Sequence, residues 1–242
     1  MAVTARRKSP TPARRAQRPD GDATRLHLIE TAGQVFAERG LAEATSKEIC
    51  ERAGVPLASV NYHFGSRDGL YEAVLIAAHQ QLIGLEELVA LVQGTEDPET
   101  RLRTVLTHFV RFATNANPPW GFRVVLREIM NPSAAMPALI EKAVRPKSQF
   151  MRALVSEVMG LPPEHPSAQR GVVFALLPCL AIMIIPREVP ARLLPALGKD
   201  SEGLAEELMR YVMAGLAAMA SAQKPAAKPA RSPARAARRE KA

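Results

Sequence analysis

Apolar residues along this chain recur at three- and four-residue intervals, and no stretch of any length alternates polar with apolar as a half-buried strand would. Leu26, Ile29, Val35 and Phe36 open the pattern, interleaved with polar positions at helical spacing. Ile49, Cys50 and Ala53 share one face of a short segment, and Val60 and Phe64 share a face of the next. A longer pattern begins at Ser66, carries Leu70, Val74, Leu75, Ala78, Leu82 and Leu85, and runs to about Val92, where Gly94-Thr95-Glu96-Asp97-Pro98 breaks it. The next helix spans Pro98 to about Thr114 with Leu102, Leu106, Phe109, Val110 and Phe112; Asn115 to Pro119 interrupts, and Trp120 to Met130 forms another. Residues 133 to 159 read as helical with a division near Pro137 or Pro146, and two helices at about 166 to 186 and 200 to 221 follow. The spacing predicts an all-α protein without internal repeats.

Length and composition agree. A chain of 242 residues, 47% hydrophobic, can bury a sizeable core in one or two domains. Its formal charge of +8 sits at the ends. Six basic residues against Asp20 in residues 1–20, and seven against Glu240 in residues 223–242, sum to +11 and leave −3 for residues 21–222. Both ends are rich in Ala, Pro, Arg and Lys and poor in large apolar residues, so they are expected to be disordered. Two roles fit such ends: contact with DNA phosphates, or a solvated tail that aids solubility.

Chemistry concentrates between Thr45 and Tyr71, in TSKEICERAGVPLASVNYHFGSRDGLY. Thr45 or Ser46 can cap a short amphipathic helix, and Gly54 lets the chain leave it sharply while Val55 plugs the small core. Pro56 suits the first turn of the following helix, whose Leu57, Ala58, Ser59, Asn61, Tyr62 and His63 face outward once Val60 and Phe64 face in. Gly65-Ser66-Arg67-Asp68 makes a turn and cap. A short helix with small residues at its start and hydrogen-bonding groups beyond can enter a major groove, which makes double-stranded DNA the leading partner.

Residues 24 to 75, from TRLHLIETAGQVFAERG through ATSKEICERAGV to ASVNYHFGSRDGLYEAV, resemble the DNA-binding domain of the TetR family of transcriptional regulators. The resemblance implies a three-helix N-terminal head joined by a long fourth helix to an all-helical ligand-binding and dimerisation body. With the basic ends read from composition, this divides the chain into a basic arm (1–22), a head (23–70), a body (71–222) and a basic tail (223–242). The resemblance also implies DNA contacts from Lys47, Leu57, Ala58, Ser59, Tyr62, His63 and Arg67, and the capping Thr45 and Ser46 are counted as candidates beside them. Asn61 stands where many members carry an aromatic residue, and its carboxamide can pair with an adenine edge. The segment WGFRVVLREIMNPS, residues 120 to 133, is similar to an element of the CecR-type branch of that family.

In the body, Leu204, Leu208, Tyr211, Val212, Gly215 and Met219 make an apolar stripe flanked by small residues. With residues 166 to 186 it fits half of an intersubunit four-helix bundle, so a homodimer is expected. Phe109, Phe112, Trp120, Phe122, Phe150, Met151 and Phe174 are candidates to line an apolar cavity for a small hydrophobic or amphipathic effector, with His108 as a polar contact. Arg127, interrupting an apolar helix, is expected either to pair with an acidic side chain or to meet an anionic part of that ligand.

Other classes find little support. The chain holds no phosphate loop, nucleophile elbow, paired carboxylates or metal-ligand set, so neither catalytic residues, a metal site nor a cofactor is assigned, and no enzyme activity is expected. Cys50 and Cys179 make no redox motif and read as buried thiols. The longest apolar run, Val172 to Ile185, is interrupted by Pro178 and is short for a bilayer. The expectation is a cytoplasmic, ligand-responsive repressor that binds a palindromic operator as a dimer. The alternative is a nucleoid-type protein that uses its basic tails to bind DNA without sequence preference.

Overall fold

The structure, a computed structural model, describes residues 19–115, 117–185, 188–195, 197 and 200–222; most of the expected basic arm and the whole basic tail lie outside the described residues. The described residues form helices α1 (Pro19–Glu43), α2 (Ser46–Ala53), α3 (Ala58–Phe64), α4 (Arg67–Leu82), α5 (Leu85–Leu91), α6 (Pro98–Thr114) and α7 (Trp120–Met130). They continue with α8 (Met136–Leu139), a π-helical turn (Ile140–Val144), α9 (Arg145–Met159), α10 (Pro166–Ile184), α11 (Glu188–Leu193) and α12 (Ser201–Ser221). No strand occurs among them. α1 begins inside the stretch assigned to the arm, because a proline is compatible with a first helical turn and Asp22 suits the positive end of the helix.

These helices sort into two compact units, one running through Leu82 together with Pro119–Ala143, the other comprising Ile83–Pro118 and the chain from Val144. The sequence places a boundary at residue 70. In the structure, Leu70, Tyr71, Val74, Leu75 and Ala78 bury the inner face of α4 in the first unit, where α1 contributes Leu28, Ala32, Val35 and Phe36. α7 packs on both α1 and α4 through Val124 and Val125. Gly121 makes that approach possible, since a Cβ there would lie 2.7 Å from the Ala78 carbonyl oxygen.

The long pattern expected from Ser66 to about Val92 is realised as two helices. Ile83 turns into the core of the second unit, Gly84 takes an extended conformation, and its N–H donates to the Glu87 carboxylate, starting α5 afresh. Pro137 and Pro146 fall in the first turns of α8 and α9, where each is tolerated.

The second unit is built on the apolar faces of α6 (Leu102, Val105, Leu106, Val110) and α9 (Met151, Leu154, Val155), closed by α10 and α12. Asp97 caps α6 by accepting the Thr100 N–H at 2.8 Å, and the Thr100 hydroxyl, together with that N–H, holds its carboxyl below the usual range. Burial pushes the Cys179 thiol up to about 11 and raises Cys50, so neither is a thiolate at neutral pH.

Lys147 is buried in this unit at 8% exposure, and burial lowers its pKa from 10.5 to about 8 despite the Glu87 carboxylate. A lowered lysine pKa means the unfolded chain binds the proton more tightly between those values, so stability gained above about pH 10.5 is lost as pH falls toward 8. Lys147→Met, which keeps the apolar stem, is expected to raise stability at pH 7 by about 1–2 kcal/mol and to flatten the rise between pH 8 and 10.5. Urea denaturation across that pH range measures both; an unchanged pH profile would sink the assignment.

Candidate nucleic-acid interface

The helix-turn-helix is assembled locally. Thr45, at φ −112° and ψ 147°, accepts the Glu48 N–H at 3.2 Å and caps α2. Ile49, Cys50 and Ala53 form its buried face. Gly54 in the left-handed region ends the helix, and the Val55 N–H returns to the Cys50 carbonyl at 3.0 Å. The Ser59 N–H donates to the Pro56 carbonyl at 2.9 Å, so the proline sits in the turn that leads into α3. Of the two residues expected to face inward on α3, Val60 is buried and Phe64 is half-buried beneath the Arg25 guanidinium, 5.2 Å from its ring centre. Ser66 caps α4 by accepting the Gly69 N–H.

The outward set is distributed as follows. Leu57, Ala58, Asn61 and Tyr62 are exposed on or beside α3, Tyr62 at 84%. Ser59 and His63 are half-buried, and the His63 ring meets Tyr62 edge-on at 4.8 Å. On α2, Lys47 is exposed and faces Glu51 at 3.9 Å, an exposed pair of little energetic weight. Thr45 is exposed and Ser46 half-buried. Arg67 is half-buried and turns inward: its guanidinium donates to the Leu41 carbonyl, and its Nε is enclosed without a hydrogen-bond partner.

Several residues that secure this head carry no mark in the sequence. His27 Nε2 lies 3.1 Å from the Ala53 carbonyl oxygen, tying α1 to the end of α2. Glu38, Arg52, Glu48 and Arg39 form a chain of ion pairs from α1 to α2 with distances of 2.7 to 2.9 Å. Glu128, 1% exposed, accepts from the Tyr71 hydroxyl at 3.0 Å and from the Ser133 N–H and hydroxyl at 2.9 and 3.0 Å. Burial, with the neighbouring Glu128 carboxylate, pushes the Tyr71 phenol above its ordinary range.

The effector candidates divide between the two units. Trp120, Phe122 and Arg127 belong to the first; the Trp120 indole N–H donates to Glu30 at 2.8 Å, its ring filling the space a side chain at Gly33 would need. Arg127 differs from the buried charge the sequence suggested. It is exposed and donates to the Glu38 backbone carbonyl at 3.4 Å, while its neighbour Glu128 occupies the interior. In the second unit, Met151 is buried, Phe109 and Phe150 pack on the core, Phe112 is half-buried, and His108 has an enclosed Nε2 without a hydrogen-bond partner. Phe174 is 52% exposed.

The expectation that no segment suits a bilayer rested on an interrupted apolar run. As a 19-residue helix, α10 is long and apolar enough to cross one, as is the stretch Arg67–Leu91. The α10 face bearing Ala168, Ala175 and Cys179 sits in the protein core instead, and its Val173, Phe174, Leu177 and Leu180 are exposed. On α12, Tyr211, Ala214 and Gly215 are exposed, and with Phe174 and Met219 they border a groove of about 330 Å³.

Residues 28–74 match the family described as bacterial regulatory proteins, tetR family, and residues 98–219, half of the chain, match the C-terminal domain of the HTH-type transcriptional dual regulator CecR. The HTH-type transcriptional regulator BetI 1 of Chromohalobacter salexigens is 36% identical over 84 residues, 34% of this chain and 40% of that protein. The HTH-type transcriptional activator FasR of Mycolicibacterium smegmatis is 29% identical over 149 residues, 61% of this chain and 66% of that protein. The matched stretch thus spans less than two thirds of either relative. Among solved structures, AibR in complex with isovaleryl coenzyme A and operator DNA superposes with a TM-score of 0.59 at 19% identity, covering 78% of this chain and 97% of that one. The fatty acid degradation regulator FadR of Bacillus halodurans superposes with a TM-score of 0.58 at 13% identity, with the same coverage. Both likenesses concern the fold.

Proposed function

The chain belongs to the tetR family of bacterial regulatory proteins and carries a CecR-type C-terminal domain, and from that premise we propose that it is a cytoplasmic repressor that grips a palindromic operator as a homodimer and is released by a small molecule. The observation that carries this reading is the outer edge of α3, where Leu57 and Tyr62 stand in solvent beside Ala58 and Asn61 while Val60 alone is fully buried. Leu57, just before this seven-residue helix, and Tyr62 on it add nothing to the core of the head and are free to meet a partner. Leu57 and Ala58 lead into the groove and Asn61 pairs with a base, while Lys47, Ser59, Tyr62 and His63 meet the backbone. Thr45 and Ser46 contribute at the N-terminus of α2, whose positive end favours a phosphate.

One such helix reads too few base pairs for a specific site. A second copy joined along the exposed apolar faces of α10 and α12 supplies the other half-site on a twofold axis. The effector enters the second unit among Phe109, Phe112, Phe150 and Met151, where the enclosed, unpartnered Nε2 of His108 supports a polar group on an otherwise apolar ligand. The isovaleryl coenzyme A bound to AibR is an amphipathic acyl thioester, and a ligand of that general character suits such a lining. Linkage requires the ligand to prefer the DNA-free form, and a coupling of roughly 1–3 kcal/mol would weaken operator binding about 5–150-fold.

The test is selection of bound DNA from a random duplex pool, which should return a palindrome with half-sites about one helical turn or a multiple apart. Equal affinity for unrelated duplexes at fixed salt would replace this reading with the nucleoid-type alternative. On the selected site, Asn61→Ala is expected to weaken binding about 5–150-fold and relax preference at one base pair, leaving the salt dependence of binding unchanged. Binding assays on single-base variants of the site read this directly, and a uniform loss across all variants would remove Asn61 from base reading. FasR is named an activator and CecR a dual regulator, which favours a second reading in which the same DNA binding raises transcription. In vitro transcription from a promoter bearing the selected site decides the sign.

A further inference from the structure

We propose that Arg127 on α7 and Arg67 on α4 are positioning residues for DNA reading, which act by pinning the C-terminal end of α1 and so fixing where α2 and α3 present their outward side chains. The inference rests on the operator-binding reading above.

The last carbonyls of a helix have no intrahelical donors and carry partial negative charge, so a guanidinium placed there is both a hydrogen-bond donor and a favourable charge. The longer helical segment of α1 ends in this way, at a kink before its last three residues. Its backbone leaves helical geometry at Gly40, at φ 81° and ψ 173°, and two arginines from two other helices converge on the carbonyls either side. Arg127 donates to Glu38 O at 3.4 Å and Arg67 donates to Leu41 O. Arg127 lies flush against the bend, because a Cβ on Gly40 would stand only 3.0 Å from its Nη1.

This bend sets the course of everything that follows. The Ala44 N–H returns to Gly40 O at 3.3 Å, and the next residue is Thr45, the cap of α2. The turn also carries the ion pairs that tie α1 to α2, Glu38 to Arg52 and Arg39 to Glu48. Each is solvent-accessible and weak alone, so the backbone anchors act beside the buried Ala44 and Ile49 and the His27 contact with the Ala53 carbonyl in holding the turn. α7 is a fixed platform for one of those anchors. Besides Arg127, it is held by the Trp120 indole on Glu30, by the Gly121 N–H on Gln81 at 3.0 Å and by Glu128 on Tyr71. A shift of α7 along α1 would therefore be felt at Glu38 and passed to α2 through contiguous contacts.

The inference separates from a phosphate-contact role by its salt signature. An arginine that touches a phosphate contributes about one unit to the slope of log K on log salt concentration, whereas one that acts through Glu38 O contributes nothing to it. The experiment uses the full chain and two duplexes of equal length, the selected operator and an unrelated sequence, with binding read by fluorescence anisotropy over a range of salt. Arg127→Ala is expected to weaken operator binding roughly tenfold, with affinity for the unrelated duplex and the salt slope both at wild-type values. Arg127→Lys, which keeps a charged donor for the carbonyl, is expected to recover most of the loss. A slope lowered by about one, or operator affinity equal to wild type, overturns the proposal. Should the alanine variant fail to fold by circular dichroism, Arg127→Gln is read in the same assay by the same criteria. A wild-type protein that does not discriminate the two duplexes overturns the operator-binding reading itself, which is distinct from a discriminating wild type matched by its variant.

Discussion

Gly215→Arg is expected to leave the protein monomeric and to weaken binding to its selected operator by at least about 100-fold. The monomer should tolerate the change, since Gly215 is exposed at helical φ and nothing lies within 4 Å of where its Cβ would be. The dimer should not. The new guanidinium stands on the groove between Phe174 and Tyr211, where a second copy would bury it without a partner, and twofold symmetry imposes that penalty twice. With the partner lost, each head binds a half-site independently and the effective concentration that the second head supplied disappears. Sedimentation velocity and operator titration measure the two effects together. A variant that stays dimeric would move the interface off α10 and α12, and one that loses mass without losing affinity would remove the need for a dimer.

Glu128→Ala should lower stability on the order of 3 kcal/mol, about 10 °C in melting temperature for a chain of this size. The carboxylate is the acceptor for three buried or half-buried donors, the Tyr71 hydroxyl and the N–H and hydroxyl of Ser133. Truncation strands these donors and leaves a void between α7 and α4. Tyr71→Phe removes one donor only and is expected to cost less. It carries a second signature. The phenol of folded Tyr71 keeps its proton above the ordinary value of 10.0, whereas the unfolded chain releases it there, so its stabilising contribution is complete below about pH 10 and declines as pH rises further. Thermal melts from pH 8 to 11 should show that decline in the wild type and a shallower one in Tyr71→Phe. Parallel profiles would exclude Tyr71 as its source.

The helices and the reading motif were legible because their signals are local. Thr45 caps within three residues, Gly54 ends α2 where it stands, and Asp97-Pro98 starts α6. The break between α4 and α5 was hidden, since Leu82 and Leu85 continue the apolar rhythm across it. What decides it is the change of unit at Ile83, a long-range packing preference that leaves only a glycine and a glutamate three residues on as local traces. The Arg127-Glu128 pair shows a different limit. Neighbours on a helix point about 100° apart, so periodicity marks the pair as unusual without saying which member turns inward. Tyr71, which answers that question, is 57 residues away. Gly33 within α1 and Gly121 at the second position of α7 were the trace that could have announced the close docking of α7.

By itself, then, the sequence determined an all-helical chain, the order and most boundaries of its helices, and the outward edge of α3, because capping, turn geometry and amphipathic spacing act over a few residues. Only the tertiary structure decided that residues 119–143 belong with the head, that Glu128 is interior while Arg127 and Arg67 hold the end of α1, and which faces of α10 and α12 stay exposed. Those outcomes depend on which distant surfaces bury one another, and the free energy of such burial is set by area and fit between segments that share no local signal.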